Sequence, residues 1–235
     1  MRHTLLALSI TTLLAGCTGP AATDAPATTA AATAGDSAVN AKFDALSKKA
    51  VDTWMRHSPV SATQTGDHRF DSELDDLSAA GRKATLDANK ALLVELDAID
   101  TRKLARQNQV DAALLRSQLQ SGIWDAEVMQ SWAWDPQVYG GLAGSAIYGL
   151  MAREFAPLPV RIQAATARME KLPALFAQAR ENLDPARVPK VHAETVAKQN
   201  AGILSIVDTF ITPHLGELPT AQADPTRAAI DTLKK

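Results

Sequence analysis

The strongest constraint on the fold of this chain is a run of apolar residues that keeps helical spacing over residues 162–183. Steps of three and four residues alternate along this run, which consists of Ile162, Ala165, Met169, Leu172, Phe176, Ala179 and Leu183. Such spacing places the side chains on one face of an α-helix, where they can be buried together. Pro173 lies inside the pattern. The helix therefore either kinks there or ends there, with a second helix beginning at the proline.

Shorter stripes with helical spacing follow along the chain from about residue 41. They comprise Phe43, Leu46, Ala50 and Trp54; Leu86, Leu92, Leu93, Leu96 and Ile99; Leu115, Leu119 and Ile123; and Val196, Ile203, Val207 and Phe210. Strict alternation of apolar and polar residues, which is the pattern of a half-buried strand, is rare. We therefore predict an all-α, multi-helix domain over residues 41–235.

Three local signals predict where helices begin and end. Ser58-Pro59 ends the first helix, because the residue before a proline avoids the helical region. Ser78 is a good N-cap for the next helix, and Asp224-Pro225 predicts the start of the last one. That last helix runs to the end of the sequence without a C-cap. This pattern suggests that the helical domain is incomplete, as in a truncated protein; the alternative is a frayed terminal helix, which is common.

The N-terminus resembles a bacterial lipoprotein signal. Arg2 precedes an apolar stretch, Leu5 to Leu14, that is too short to span a bilayer, and Leu-Ala-Gly leads directly to Cys17. We predict that residues 1–16 are removed and that Cys17 is acylated, which would anchor the chain to the membrane. The alternative is an ordinary secretory signal with a chance cysteine. Since Cys17 is the only cysteine, it cannot form a disulfide within the chain.

The residues after Cys17 predict a location and a tether. Thr18 stands where an aspartate would retain a lipoprotein in the inner membrane, so we expect the outer membrane, facing the periplasm. Residues 17–40 are predicted to be a disordered tether, because Ala, Thr, Pro and Gly dominate and no large apolar residue precedes Val39. The formal net charge is −2, without a basic block, which gives no support for a nucleic-acid partner.

Sequence motifs that would define an enzyme are absent. A zinc-protease helix needs two histidines in H-E-x-x-H spacing, and the nearest match, at His192 and Glu194, has no second histidine at the required offset. Ser145 lacks the flanking glycines of G-x-S-x-G, and no serine has a lysine three positions later. We therefore predict no catalytic residue, no metal ligand and no cofactor in this chain.

Two segments remain as candidates for a binding site. Residues 61–78, SATQTGDHRFDSELDDLS, combine a histidine with several carboxylates. Asp67, His68 and Arg69 are consecutive, so their side chains diverge and form no triad. Residues 131–141 contain the aromatic side chains of Trp132, Trp134 and Tyr139. This aromatic cluster is either a stacking platform for a sugar or peptide or a connection held to the core by its rings.

Both segments occur together with further blocks that resemble a known family. The blocks are SPVSATQTGDHRFDSELDDLS, LLRSQL, WAWDPQVY and LMAREFAPLPVRIQAATARMEKLPALFAQARENL, in that order. They resemble the N-terminal half of the bacterial family called domain of unknown function 885. The resemblance implies an all-α fold similar to zinc carboxypeptidases, with the H-E-x-x-H helix in the C-terminal half. The cleft or signature residues that it marks are Gly66, His68, Asp71, Trp134 and Asp135.

The resemblance carries no zinc ligand over to this chain, because the sequence has no H-E-x-x-H motif. We expect the N-terminal part of a metallopeptidase-like lipoprotein, inactive alone, with the membrane and a missing C-terminal half as partners. Zinc is expected only in a full-length relative. The alternative is a self-sufficient helical module that binds peptide or glycan through residues 132–139. A metal-free enzyme using the carboxylates of residues 71–76 is a third interpretation, and nothing pairs them with an apolar pocket.

Overall fold

The computed structural model describes residues 35–234, so the predicted signal sequence, Cys17 and most of the predicted tether lie outside the described residues. Within this range the fold is all-α and contains no β-strand. The helices are α1 Ser37–His57, α2 Pro59–Thr65, α3 Ala79–Asp97, α4 Arg106–Trp124, α5 Ser131–Trp134, α6 Gln137–Met151, α7 Leu158–Asn182, α8 Lys190–Phe210 and α9 Thr220–Leu233. A π-helical turn, Asp125–Met129, follows α4 directly.

Helices α1, α3 and α4 pack around one of the two hydrophobic cores of the described residues. The buried residues of this core are Phe43, Leu46, Ala50, Leu92, Leu96, Leu104, Ala112, Leu115 and Leu119. Most of them belong to the stripes with helical spacing in the sequence, so that prediction is confirmed. Burial of each large apolar side chain stabilises the folded state by about 1.5–3 kcal/mol. The helices are therefore oriented by the positions of their apolar residues rather than by their polar residues.

The second core lies among α6, α7, α8 and α9, with α2 packed against α6. It includes Tyr139, Ala143, Ile147, Leu150, Ile162, Ala165, Met169, Leu172, Leu175, Ile203, Val207 and Ile230. α7 runs unbroken through Pro173, so a second helix does not begin there. Pro173 is exposed on the outer face of α7, whereas the stripe from Ile162 to Leu172 is buried.

Two of the three predicted helix boundaries are confirmed. α1 ends at His57 and α2 begins at Pro59, and the Ser78 hydroxyl accepts a hydrogen bond from the Gly81 amide at the start of α3. The predicted start of the last helix at Asp224-Pro225 is wrong. α9 begins at Thr220, because the carbonyl of Pro219 accepts the first helical hydrogen bonds and closes a turn before Pro225 is reached.

The predicted boundary between tether and domain at residue 40 is also too late. α1 begins at Ser37, where the Asp36 carboxylate accepts hydrogen bonds from the amides of Ala38 and Val39 at 2.9 and 3.2 Å. This is an N-cap, and such caps stabilise a helix by about 1 kcal/mol. The amide of Asp36 in turn donates to the carbonyl of Lys103, so the helix start is held by a distant part of the chain.

Candidate functional site

The acidic segment, defined here as residues 66–78, is folded around one buried cation, Arg168 of α7. Arg168 is 0% exposed, and a buried guanidinium needs acceptors for its N–H groups inside the protein. The acceptors, at 2.7–3.3 Å, are the Thr63 hydroxyl and the carbonyls of Pro59, Phe70, Glu73 and Ala146. Burial lowers the pKa of Arg168, and the nearby carboxylates of Asp71, Asp75 and Glu73 oppose that shift. The course of the acidic segment is therefore set by α7.

Three of the marked residues, Gly66, His68 and Asp71, form a brace at the start of this segment. Gly66 ends α2 with φ 94°, in the left-handed region that favours glycine. The His68 ring stacks on Phe155 with 3.7 Å between ring centroids, and its Nδ1 lies 3.0 Å from Asp71 Oδ2. Asp71 Oδ1 accepts a hydrogen bond from the Thr63 hydroxyl at 2.6 Å. These contacts indicate a loop-fixing role for His68.

Replacing His68 with alanine is expected to lower the free energy of unfolding by about 1–2 kcal/mol, because a ring stack and a hydrogen bond are lost. His68→Phe keeps a ring against Phe155 and removes only the contact with Asp71. It should therefore cost about half as much. Urea denaturation of both variants at neutral pH measures the difference. Unchanged stability in His68→Ala would contradict the loop-fixing role.

A polar cleft of about 280 Å³ lies where the acidic segment meets α3, α5 and the π-helical turn. Its polar lining includes His57, Asp75, Asp76, Arg82, Asn89, Asp125, Ser131 and Trp132. Burial raises the pKa of Asp75, while a hydrogen bond from the Val60 amide and the charge of Arg168 oppose the shift. A shifted carboxyl group in a cleft and a π-helical turn are both frequent at functional sites.

Several other polar groups of this cleft are bonded to the protein itself. Arg82 donates to the Leu77 carbonyl and the Asn182 side chain, and its guanidinium lies 3.9 Å above the Trp132 ring. The Ser131 hydroxyl donates to Asp125. The cleft therefore brings the buried carboxyl group of Asp75 into the same lining as His57, whose side chain makes no hydrogen bond or ion pair within residues 35–234.

The aromatic segment, residues 131–141, is helical over most of its length and is held by its own contacts. The Tyr139 hydroxyl donates to the Trp132 carbonyl at 2.7 Å and accepts from Asn182 Nδ2 at 3.0 Å. Burial raises the pKa of Tyr139. The Trp134 indole donates to the Met129 carbonyl at 2.9 Å. With Arg82 above Trp132, these contacts favour a segment held to the core by its rings.

The structure also joins Trp134 and Asp135 to His192 of α8, a partner that sequence analysis missed. His192 Nδ1 lies 2.9 Å from Asp135 Oδ1 and 3.1 Å from Gln137 Nε2. The rings of Trp134 and His192 are 5.6 Å apart. Asp135 and His192 are 57 positions apart in the sequence, and no local motif links them. The marked residues therefore form two separate groups, one around His68 and one around His192.

Within residues 35–234, no group of three or more His, Cys, Asp or Glu side chains is placed to hold a metal ion. The histidines that contact a carboxylate do so in single pairs, which are His68–Asp71, His192–Asp135 and His214–Glu217. A catalytic zinc usually has three protein ligands, and each of these pairs supplies two at most.

The fold and the contacts together define an all-α domain in which the acidic segment wraps around the buried Arg168. The chain belongs to the family of bacterial proteins of unknown function DUF885, whose model matches residues 59–235. The family suggested by the sequence blocks is thereby confirmed, whereas its likeness to zinc carboxypeptidases is not shown.

One solved structure supports this assignment, that of a protein from Shewanella oneidensis that is assigned as a lipoprotein of unknown function. It is 29% identical to this chain, with a TM-score of 0.76. The match covers 82% of this chain but 35% of the Shewanella chain, which is about a third of that protein. None of the curated proteins matches. No helix within residues 35–234 is both long and apolar enough to cross a membrane.

Proposed function

We propose that this protein is the helical, membrane-anchored part of a metallopeptidase-like protein and that it has no peptidase activity alone. The observation that carries the proposal is the match to about a third of a longer structure with a TM-score of 0.76, which relates the described helices to one region of a larger fold. The metal ligands would be supplied by further residues of a longer protein or by a second polypeptide.

The proposed location is the outer membrane, with the helical domain facing the periplasm. Support comes from the apolar stretch and Leu-Ala-Gly before Cys17, from Thr18 after it, and from the similar protein that is assigned as a lipoprotein. Acylation at Cys17 would supply several chains, and more than one chain is needed for stable anchoring. Residues 18–34 would then separate the described helices from the membrane surface.

The test uses the protein isolated from the outer-membrane fraction of its bacterial host. We expect an intact mass that corresponds to acylated Cys17, zinc far below one ion per chain, and no hydrolysis of a mixed peptide library. Zinc and activity should appear only when a second polypeptide or a longer form of the protein is present. One zinc ion per chain together with hydrolysis by the short chain would contradict the proposal, and recovery in the inner membrane would contradict the location.

A self-sufficient binding module for peptide or glycan is the second candidate function. One observation favours it: Pro136 and Tyr139 of the aromatic segment line a cavity of about 500 Å³, within the usual size range of small-molecule sites. Titration with peptides and glycans, followed by tryptophan fluorescence, distinguishes the two candidates. A saturable change with one class of ligand would favour the binding module.

A further inference from the structure

The cavity beside the aromatic segment opens to solvent, is lined by residues of α6, α7, α8 and the end of α9, and has mainly apolar walls. Its walls include Phe176, Ala179, Leu183, Val196, Leu204 and Leu233. Apolar surface that is removed from water by a ligand contributes about 25 cal/mol per Å², so these walls favour a ligand with a hydrocarbon body. The volume of about 500 Å³ is large enough for more than a single side chain.

The charge at the cavity is positive and is not balanced by any lining residue. Arg180 is the one charged residue of the lining, and no carboxylate lines the cavity. Within residues 35–234, the exposed side chain of Arg180 makes neither a hydrogen bond nor an ion pair, in contrast to the side chains of Arg82, Arg161 and Arg168. Asn200, which also lines the cavity, is likewise without a partner among these residues. An anionic group of a ligand would therefore meet a free guanidinium and a free amide.

We propose that this cavity binds a fatty acid, with the hydrocarbon chain between α6, α7 and α8 and the carboxylate at Arg180 and Asn200. The guanidinium matches a carboxylate with two parallel N–H donors, which gives the pair both strength and direction. This inference concerns a site apart from the polar cleft. It deepens the second candidate function, which rests on the same cavity, and does not depend on the metallopeptidase-like function.

A fatty acid fits this lining better than the C-terminus of a peptide does. Every buried peptide unit brings an N–H and a C=O group that need partners, and leaving one unpaired costs about 1–3 kcal/mol. Apart from Arg180 and Asn200, the side-chain polar group in the lining is the Tyr139 hydroxyl, which is already bonded to Trp132 and Asn182. A hydrocarbon chain has no N–H or C=O group that needs a partner.

The experiment is calorimetric titration of the mature chain, residues 17–235, with Cys17→Ser so that no attached acyl chain and no detergent is present. The probes are dodecanoate, dodecanol and an acetylated tripeptide that ends in leucine. We expect one dodecanoate per chain, bound more tightly than dodecanol. Arg180→Gln should weaken the binding of dodecanoate by about tenfold, because one charge-assisted contact is lost. The affinity for dodecanol should not change.

Two tryptophan variants of α8 provide the matched control. Ala201 is exposed and lines the cavity, so Ala201→Trp should fill the opening and abolish binding of both dodecanoate and dodecanol. Gly202 is exposed and lies on the other side of α8, outside the lining, with open space around a Cβ placed there, so Gly202→Trp should bind normally. Equal behaviour of the two variants, or dodecanol binding as tight as dodecanoate, would overturn the proposal. If the tripeptide bound more tightly than dodecanoate, the ligand of this cavity would be a peptide C-terminus and not a fatty acid.

Discussion

Replacing Arg168 with methionine is expected to lower the free energy of unfolding by about 3–5 kcal/mol, the loss typical of a buried charged group with several partners. Methionine can fill much of the space, but it donates no hydrogen bond. The carbonyls of Phe70 and Glu73 in the acidic segment, and that of Pro59 before it, would each lose the N–H group that they accept now. Buried acceptors without a donor are costly.

Lys171→Met is the matched control for this prediction. Lys171 lies one turn further along α7 and donates to the Ser72 carbonyl and the Glu73 carboxylate of the same segment. Because its side chain and that of Glu73 are 41% and 56% exposed, the loss should stay below about 1 kcal/mol. Urea unfolding followed by circular dichroism measures both variants. Equal losses would mean that burial of Arg168 is not what stabilises the segment.

Gly81→Ala is expected to destabilise the protein by about 1–3 kcal/mol, the usual cost of forcing an atom into a packed site. A Cβ at Gly81 would lie 2.2 Å from the Asp76 carbonyl oxygen and 2.6 Å from Asp76 Cγ. The first of these atoms belongs to the backbone, so the acidic segment must shift before α3 can accept a methyl group. The Ser78 cap, which bonds to the Gly81 amide, would be disturbed by that shift.

Gly202→Ala should have the opposite effect. Gly202 lies inside α8, and no atom is within 4 Å of a Cβ placed there. Alanine restricts the unfolded chain and favours the helix, so we expect a gain of about 0.5–1 kcal/mol. The two glycine variants are compared by thermal and urea unfolding. A loss in both would show that close packing at Asp76 does not explain the effect of Gly81→Ala.

Most helices could be predicted from the sequence, because the buried face of a helix shows in the sequence as apolar residues three and four positions apart. The stripe from Ile162 to Leu183 predicts α7, and Ser58-Pro59 and Ser78 place two boundaries within a residue of those observed. Where the prediction of a helix start failed, a local signal was missed: the Asp36 carboxylate caps α1, and the Pro219 carbonyl accepts the first hydrogen bonds of α9. The additional bond from the Asp36 amide to the Lys103 carbonyl joins distant parts of the chain, and no local pattern predicts it.

The candidate sites, in contrast, are products of helix packing. Arg168 lies 95 positions from Glu73 and 109 from Pro59 in the sequence. In the sequence it resembles a solvent-exposed charged residue of a helix, whereas in the structure the acidic segment folds around it. The pairing of Asp135 with His192 and the isolation of Arg180 beside an apolar cavity arise in the same way. Local spacing determines which face of each helix is buried. Only the packing of those faces decides which polar groups meet, since hydrogen bonds and ion pairs require contact in space rather than proximity along the chain.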